Sequence, residues 1–266
     1  MKFDSLLWDS LHRRDALKVI SGLNNFNLDS VLTLTEAANI GGATYIDMCA
    51  DSKIISAVKR NTALPVCVSL TSYHSVEEAL SAGADFIEIG NFDTLYHRGI
   101  QFSDNDIFEM AFQIKTNYPK VILCVTLPYI LTISQQIDLV KRLESINVDL
   151  VQTEGAQANI HKTNGISSNL FKAASTLYTT HCISEATKIP VITASKLSEY
   201  TITNAVSCGA SGVGVGNAIM SLKDIPAMSK KIQDLKLVIH KNSSVKLDSF
   251  NIIDKKLKCS CSESYV

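Results

Sequence analysis

Eight short apolar runs punctuate the chain at near-regular intervals, and helical patterns fill the gaps between them. The runs are 17–23 (LKVISGL), 45–50 (YIDMCA), 65–71 (PVCVSLT), 86–92 (FIEIGNF), 121–127 (VILCVTL), 149–154 (DLVQTE), 190–195 (PVITAS) and 212–216 (GVGVG). Nearly unbroken Val, Ile and Leu content with little polar alternation marks strands covered on both faces. Between them, 76–82, 107–116 and 133–146 place apolar residues three and four apart, the helical period. Parallel strands require crossovers of this kind. Eight strand–helix units spread over 266 residues predict one α/β domain, a single (β/α)8 TIM barrel. An open, doubly wound sheet is the alternative; the count and the even spacing favour closure.

A weak internal repeat supports one architecture throughout. Gly41-Gly42-Ala43, Ala82-Gly83-Ala84 and Cys208-Gly209-Ala210 each put glycine between a helix and the next strand. Asn147-Val148-Asp149 fills the same slot without glycine. Glycine at a helix end relieves the left-handed conformation that terminates it. Residues 1–16 are expected to form an N-terminal helical cap, 17–241 the barrel, and 242–266 a flexible tail rich in Lys and Ser.

Composition narrows the function classes. Lys plus Arg number 25 and Asp plus Glu 26, for a net charge of −1, which lacks the basic excess of a nucleic-acid binder. No apolar run reaches the roughly 18 residues of a membrane span. The amino-terminal segment resembles neither a secretory signal nor an Arg-rich transit peptide, so the expected compartment is that of synthesis. Seven cysteines are scattered, and Cys49, Cys67 and Cys124 fall inside strand-like runs, where a reduced thiol packs as a small hydrophobe. A reducing interior fits better than a disulfide framework. Cys259 and Cys261 read as two chance cysteines of a mobile tail, since no cluster of zinc spacing accompanies them.

In a barrel the site is built from strand carboxyl ends and the loops that follow. That rule singles out Asp47, Ser69, Thr71, Glu88, Thr126, Gln152, Glu154, Thr193 and Ser195. A carboxylate inside an apolar strand is costly unless paired, and burial tunes it as an acid or base. Asp47, Glu88 and Glu154 are therefore the candidate catalytic carboxylates. Lys18, early in the first strand, is the candidate partner for Asp47 or Glu88. A purely structural ion pair is the plainer alternative. The eighth strand ends Gly214-Val215-Gly216-Asn217 and opens onto a short helix, a position where backbone N–H groups receive phosphate in many barrels. Ser195 and Lys196, after strand seven, complete that expected cradle; the competing reading is that the glycines only allow tight packing. His74, His97, His161 and His181 share no ligand spacing, so no metal is expected. No cofactor is identified. The loop 154–169 is long enough to serve as a lid.

The strings KVISGLNNF, GGATYID, AGADFIEIGNFD, LVQTEG and GVGVGNAI resemble the hypothetical chloroplast reading frame family numbered twenty-three, over about residues 17–232. The resemblance implies an aldolase-type barrel encoded and used in the plastid, in the chloroplast stroma. It assigns no catalytic residues. The functional expectations are an enzyme, a lyase, isomerase or synthase, acting on a small phosphorylated molecule; an FMN-binding barrel; or a non-catalytic, metabolite-sensing barrel.

Overall fold

The apolar runs pair side by side in chain order and the eighth returns to the first. β1 (Ala16–Gly22), β2 (Tyr45–Cys49), β3 (Val66–Leu70), β4 (Phe86–Ile89), β5 (Ile122–Leu127), β6 (Leu150–Thr153), β7 (Val191–Thr193) and β8 (Gly212–Val215) form a closed, all-parallel barrel. The computed structural model describes residues 2–90, 92–96, 98–155, 166–194, 197, 201–241 and 243. The tail beyond Ser243, Ser195, Lys196, His97 and His161 lie outside the described residues. β1 is as long as its apolar run and shifted one residue earlier; the other strands are one to three residues shorter than theirs, and all of those but β5 stop before the run does. Phe92, for example, lies past the end of β4 yet is fully buried.

α1 (Lys2–His12) precedes β1. The crossovers carry α2 (Leu28–Gly41), α3 (Ser52–Asn61), α4 (Val76–Ser81), α5 (Asp93–Tyr96), α6 (Asp104–Asn117), α7 (Ile133–Ser145), α8 (Ile166–Ala186) and α9 (Ile202–Ser207). After β8 come the short α10 (Asn217–Met220) and α11 (225–241). α8 starts at Ile166, so the expected 154–169 loop ends earlier than its polarity suggested. Local chemistry fixes the helix starts. Asp51 accepts the Lys53 and Ile54 amides at 3.0 Å, and Ser103 with Asp106 and Thr132 with Gln135 form reciprocal capping boxes.

The repeated joint between helix and strand has a common backbone cause. Gly42, Gly83 and Gly209 have φ of +74°, +109° and +102°, and Asn147 occupies the same slot at +58°. Asparagine tolerates the left-handed region better than other side chains, which explains the one non-glycine copy.

The apolar core has two parts. Outward-facing strand residues such as Val19, Ile46, Val68, Ile87, Val125 and Val213 pack against the helices. A separate inner cluster, Ala16, Tyr45, Cys67, Phe86, Cys124, Leu150 and Ile192, fills the lower lumen, with Leu7 and Leu11 of α1 beneath it. Tyr45 and Phe86 meet edge to face, their centroids 5.1 Å apart. Burying each such Leu or Phe contributes about 1.5–3 kcal/mol. This plug blocks the lumen at the amino end of the strands, so a ligand can reach its centre only from the carboxyl end.

A buried lysine–carboxylate cluster in the barrel lumen

Side chains along a strand alternate between faces, so residues two apart share one. Lys18, Asp47, Ser69, Glu88, Thr126 and Gln152 each stand two positions beyond a member of the inner apolar plug. Six consecutive strands thus send one polar side chain each into the lumen directly above that plug. All six are at most 1 % exposed.

Lys18 crosses the lumen from β1. Its Nζ donates to Glu88 Oε2 at 2.5 Å and to Gln152 Oε1 at 2.9 Å, and lies 3.4 Å from Asp47 Oδ2. Gln152 Nε2 donates to Glu88 Oε1 at 2.9 Å and to Thr126 Oγ1 at 3.1 Å. Thr126 Oγ1 donates to Glu88 Oε1 at 3.2 Å, and Ser69 Oγ donates to Asp47 Oδ1 at 2.6 Å. Both Glu88 oxygens therefore accept protein donors, which suits the ionised carboxylate.

Burial opposes the charge on Lys18, but the carboxylates of Asp47 and Glu88 overcome it and hold the ammonium well above the usual lysine range. Burial raises Glu88 above the ordinary carboxylate range; Lys18 pulls it back and Asp47 pushes it further up. Tyr45, Cys67 and Cys124 are likewise raised by burial and stay neutral at physiological pH. A lysine held as its ammonium is an electrophile and a hydrogen-bond donor; it is a poor amine nucleophile.

Asp47, Cys67 and Glu88 offer ligand atoms within 4.8 Å of one another, a grouping that could hold a metal ion and that sequence spacing alone does not reveal. The Lys18 ammonium already stands against both carboxylates, so it supplies the positive charge there and would repel a second cation.

Of the four residues expected to be catalytic, the structure joins Lys18, Asp47 and Glu88 in direct contact. Glu154 lies buried two residues beyond Gln152, just past the end of β6. Ser69 and Thr126 enter the cluster although the sequence marks them only as polar strand-end residues. Their shared parity with Asp47 and Glu88 is the signal that connects them, and it appears once register is known. His74 and His181 sit in the turn before α4 and in α8, away from the lumen strands.

The glycines of β8 have a packing role. A Cβ on Gly212 would stand 2.7 Å from Ala16 Cβ and 2.9 Å from Ile192 Cδ1. One on Gly214 would stand 2.9 Å from Ile20 Cδ1 and 3.1 Å from Ala194 Cβ, so Gly214 lets those side chains pack beside the lysine stem. Gly216 precedes α10, and Asn217 and Ala218 are exposed at the start of that helix.

Fold and site together define the class: a closed eight-stranded barrel of aldolase type carrying a charged cluster above an apolar plug. The chain belongs to the family described as "Protein of unknown function (DUF561)", whose model matches residues 3–245. It is 37 % identical over 244 residues to "Uncharacterized protein ycf23" of Pyropia yezoensis, covering 92 % of this chain and 89 % of that one. To the ycf23 protein of Cyanophora paradoxa it is 38 % identical over 231 residues, covering 85 % and 93 %. These relatives come from red algae and a glaucophyte, whose plastid genomes carry the gene. Among solved structures, thiamine phosphate pyrophosphorylase from Pyrococcus furiosus superposes with a TM-score of 0.57 at 19 % identity, covering 87 % of this chain and 98 % of that one. (S)-3-O-geranylgeranylglyceryl phosphate synthase from Thermoplasma acidophilum, in complex with sn-glycerol-1-phosphate, gives 0.59 at 13 %, covering 88 % and 98 %. A 3-hexulose-6-phosphate synthase gives 0.59 at 16 %, covering 84 % and 99 %. At these identities the likeness shows the fold. No helix among the described residues is long and apolar enough to cross a membrane.

Proposed function

We propose that this chain binds a small phosphorylated metabolite at the carboxyl end of its barrel and moves a proton within it, as a lyase, isomerase or synthase in the plastid stroma. The observation that carries this reading is the cluster of Lys18, Asp47 and Glu88, fully buried at the lumen centre with three further polar side chains. Buried ion pairs are rarely a net source of stability, so six strands spending their inward positions on polar groups points to chemistry. Asp47 and Glu88 supply the acid–base groups and Lys18 the positive charge; Glu154 stands further toward the mouth. Phosphate is assigned to Gly216 and Asn217 with Ser195 and Lys196, which follow β7 in the chain; Gly214 shapes the lumen beneath. Three neighbours in fold carry phosphorylated compounds in their names, which supports the same ligand class here.

The test is thermal unfolding with inorganic phosphate and ethyl phosphate. A ligand at a hundred times its Kd stabilises by about 2.7 kcal/mol. The expected result is a concentration-dependent rise in Tm that Gly216→Asp removes, each variant being read against its own ligand-free baseline. An unchanged Tm at millimolar phosphate ester refutes the proposal.

A further inference from the structure

The backbone joint shared by Gly42, Gly83, Asn147 and Gly209 occurs once more, between α1 and β1. In each copy the N–H of that residue returns to the carbonyl three positions back, and the following N–H to the carbonyl five positions before itself. Between α1 and β1 the residue is Arg14, at φ +59°. Its N–H reaches Leu11 O at 3.1 Å, and the Asp15 N–H reaches Ser10 O at 2.9 Å. Glycine adopts the left-handed region freely and asparagine tolerates it, but the Cβ of an arginine makes it costly. Strain of this kind, kept where glycine would serve the joint better, marks a side chain with a task elsewhere.

The Arg14 side chain makes no ion pair or hydrogen bond among the described residues. Its neighbour Arg13 is the one that pairs with Asp15. Arg14 instead lines a cavity of about 580 Å³ beneath the amino ends of β7 and β8, at the opposite end of the barrel from the mouth. That volume lies in the range of small-molecule sites. Leu11, His12, His181, Glu185 and Lys188 line it too. Lys188 has no ion pair among the described residues; only its backbone N–H is engaged, by Glu144 Oε1 at 3.1 Å. A guanidinium, an ammonium and two imidazoles thus share the cavity with a single carboxylate, in a chain whose net charge is −1. The apolar plug separates the cavity from the Lys18 cluster, and Leu11 belongs to both plug and cavity wall.

We propose that this cavity is a second binding site, for a small anion carrying two or more negative charges on phosphoryl or carboxylate oxygens. Arg14 offers a planar fork of donors that fits either group, and Lys188 adds a compact charge. The two cations come from separate joints, α1 to β1 and α8 to β7, so one multivalent anion spans them and tethers α1 to the β7 side of the barrel. The plug keeps this ligand apart from whatever enters at the mouth.

Trp8 is the chain's single tryptophan, and its ring centroid lies 6.4 Å from that of His12, so its emission reports on this cavity. The test titrates the protein with pyrophosphate and, separately, with citrate, read by Trp8 emission and by calorimetry; the two arms tell a phosphoryl from a carboxylate ligand. The expected result is saturable binding of at least one anion, with a shift in Trp8 emission. Arg14→Gly should weaken it at least tenfold while the ligand-free Tm stays level or rises, because glycine suits this backbone. Lys188→Gln should weaken it at least threefold, and Gly216→Asp at the mouth should leave it within twofold. Binding of neither anion, binding that Arg14→Gly leaves unchanged, or binding that Gly216→Asp abolishes overturns the inference. So does a lower ligand-free Tm in Arg14→Gly, which would assign the arginine to the joint itself. Arg14→Gly carries the test alone if Gly216→Asp does not fold. Ethyl phosphate probes the mouth separately, so either site can fail without the other.

Discussion

Replacing Lys18 by Met tests the cluster without any ligand. Methionine has similar length and keeps the stem beside Gly214, so the change removes the charge and little volume. It leaves Asp47 and Glu88, both fully buried, without the cation that stands 3.4 and 2.5 Å from them. Breaking a buried pair by deleting one partner typically costs about 3–5 kcal/mol. For a domain of this size that corresponds to a fall in Tm of roughly 6–20 °C. The loss depends on pH with a definite sign. Glu88 is already raised by burial, and without Lys18 it rises further. A carboxyl whose folded pKa exceeds its unfolded value contributes stability below the unfolded pKa, about 4.3, and loses it as pH climbs through the folded pKa. The deficit of Lys18→Met relative to wild type should therefore be small near pH 5 and larger at pH 7.5. Glu88→Gln on the Lys18→Met background should recover part of it, because it removes one orphaned charge. Urea titrations at the two pH values measure both effects. A deficit below about 1 kcal/mol, or one larger at pH 5, refutes the electrostatic account.

Two further substitutions probe the support around the cluster and beneath it. Gly90→Ala would place a Cβ 2.2 Å from Thr126 Oγ1 and 3.1 Å from Glu88 Oε1; it should cost about 1–3 kcal/mol in urea titrations, by forcing Thr126 away from Glu88. Burial works against the charge on Asp15, but the hydrogen bond with His240 and the cations Lys236 and Arg13 hold its carboxyl below the ordinary range. Its stabilisation is present above the unfolded pKa of about 3.9 and lost as pH falls through the lower folded value, so Asp15→Asn should flatten the acid limb of a Tm–pH curve below pH 4.

The barrel is legible because its determinants are local. Strands such as VCVSL and ILCVTL are buried on both faces and carry a single polar residue each, and the left-handed joints announce themselves as Gly42, Gly83 and Gly209. Strand ends are less legible, since residues such as Phe92 are buried by the outer core after the ladder has stopped. The site is half legible. A lysine and two acids inside apolar strands stand out one by one, because each is costly alone. That the lysine meets both acids, and that Ser69, Thr126 and Gln152 complete the set, depends on register and on the length of a side chain that spans the lumen. Neither is written in any one segment.

The β8 glycines show how the same residues yield different arguments at the two levels. In sequence they suggest a backbone approached by phosphate. In the fold, Lys18 and Gly214 are paired across neighbouring strands, and parallel partners face the same side of the sheet. A Cβ on Gly214 would be in ordinary contact with the Lys18 stem at 3.6 Å but would crowd Ile20 Cδ1 at 2.9 Å and Ala194 Cβ at 3.1 Å, so glycine here serves the packing of β1, β7 and β8. Gly90 bears on the cluster directly, since any Cβ there would strike the Thr126 hydroxyl that donates to Glu88. Gly90 is thus a steric condition for the Thr126–Glu88 contact, while Gly214 is one for the packing of Ile20 and Ala194 beside it. Of the β8 glycines, only Gly216, at the mouth, can serve the phosphate reading directly.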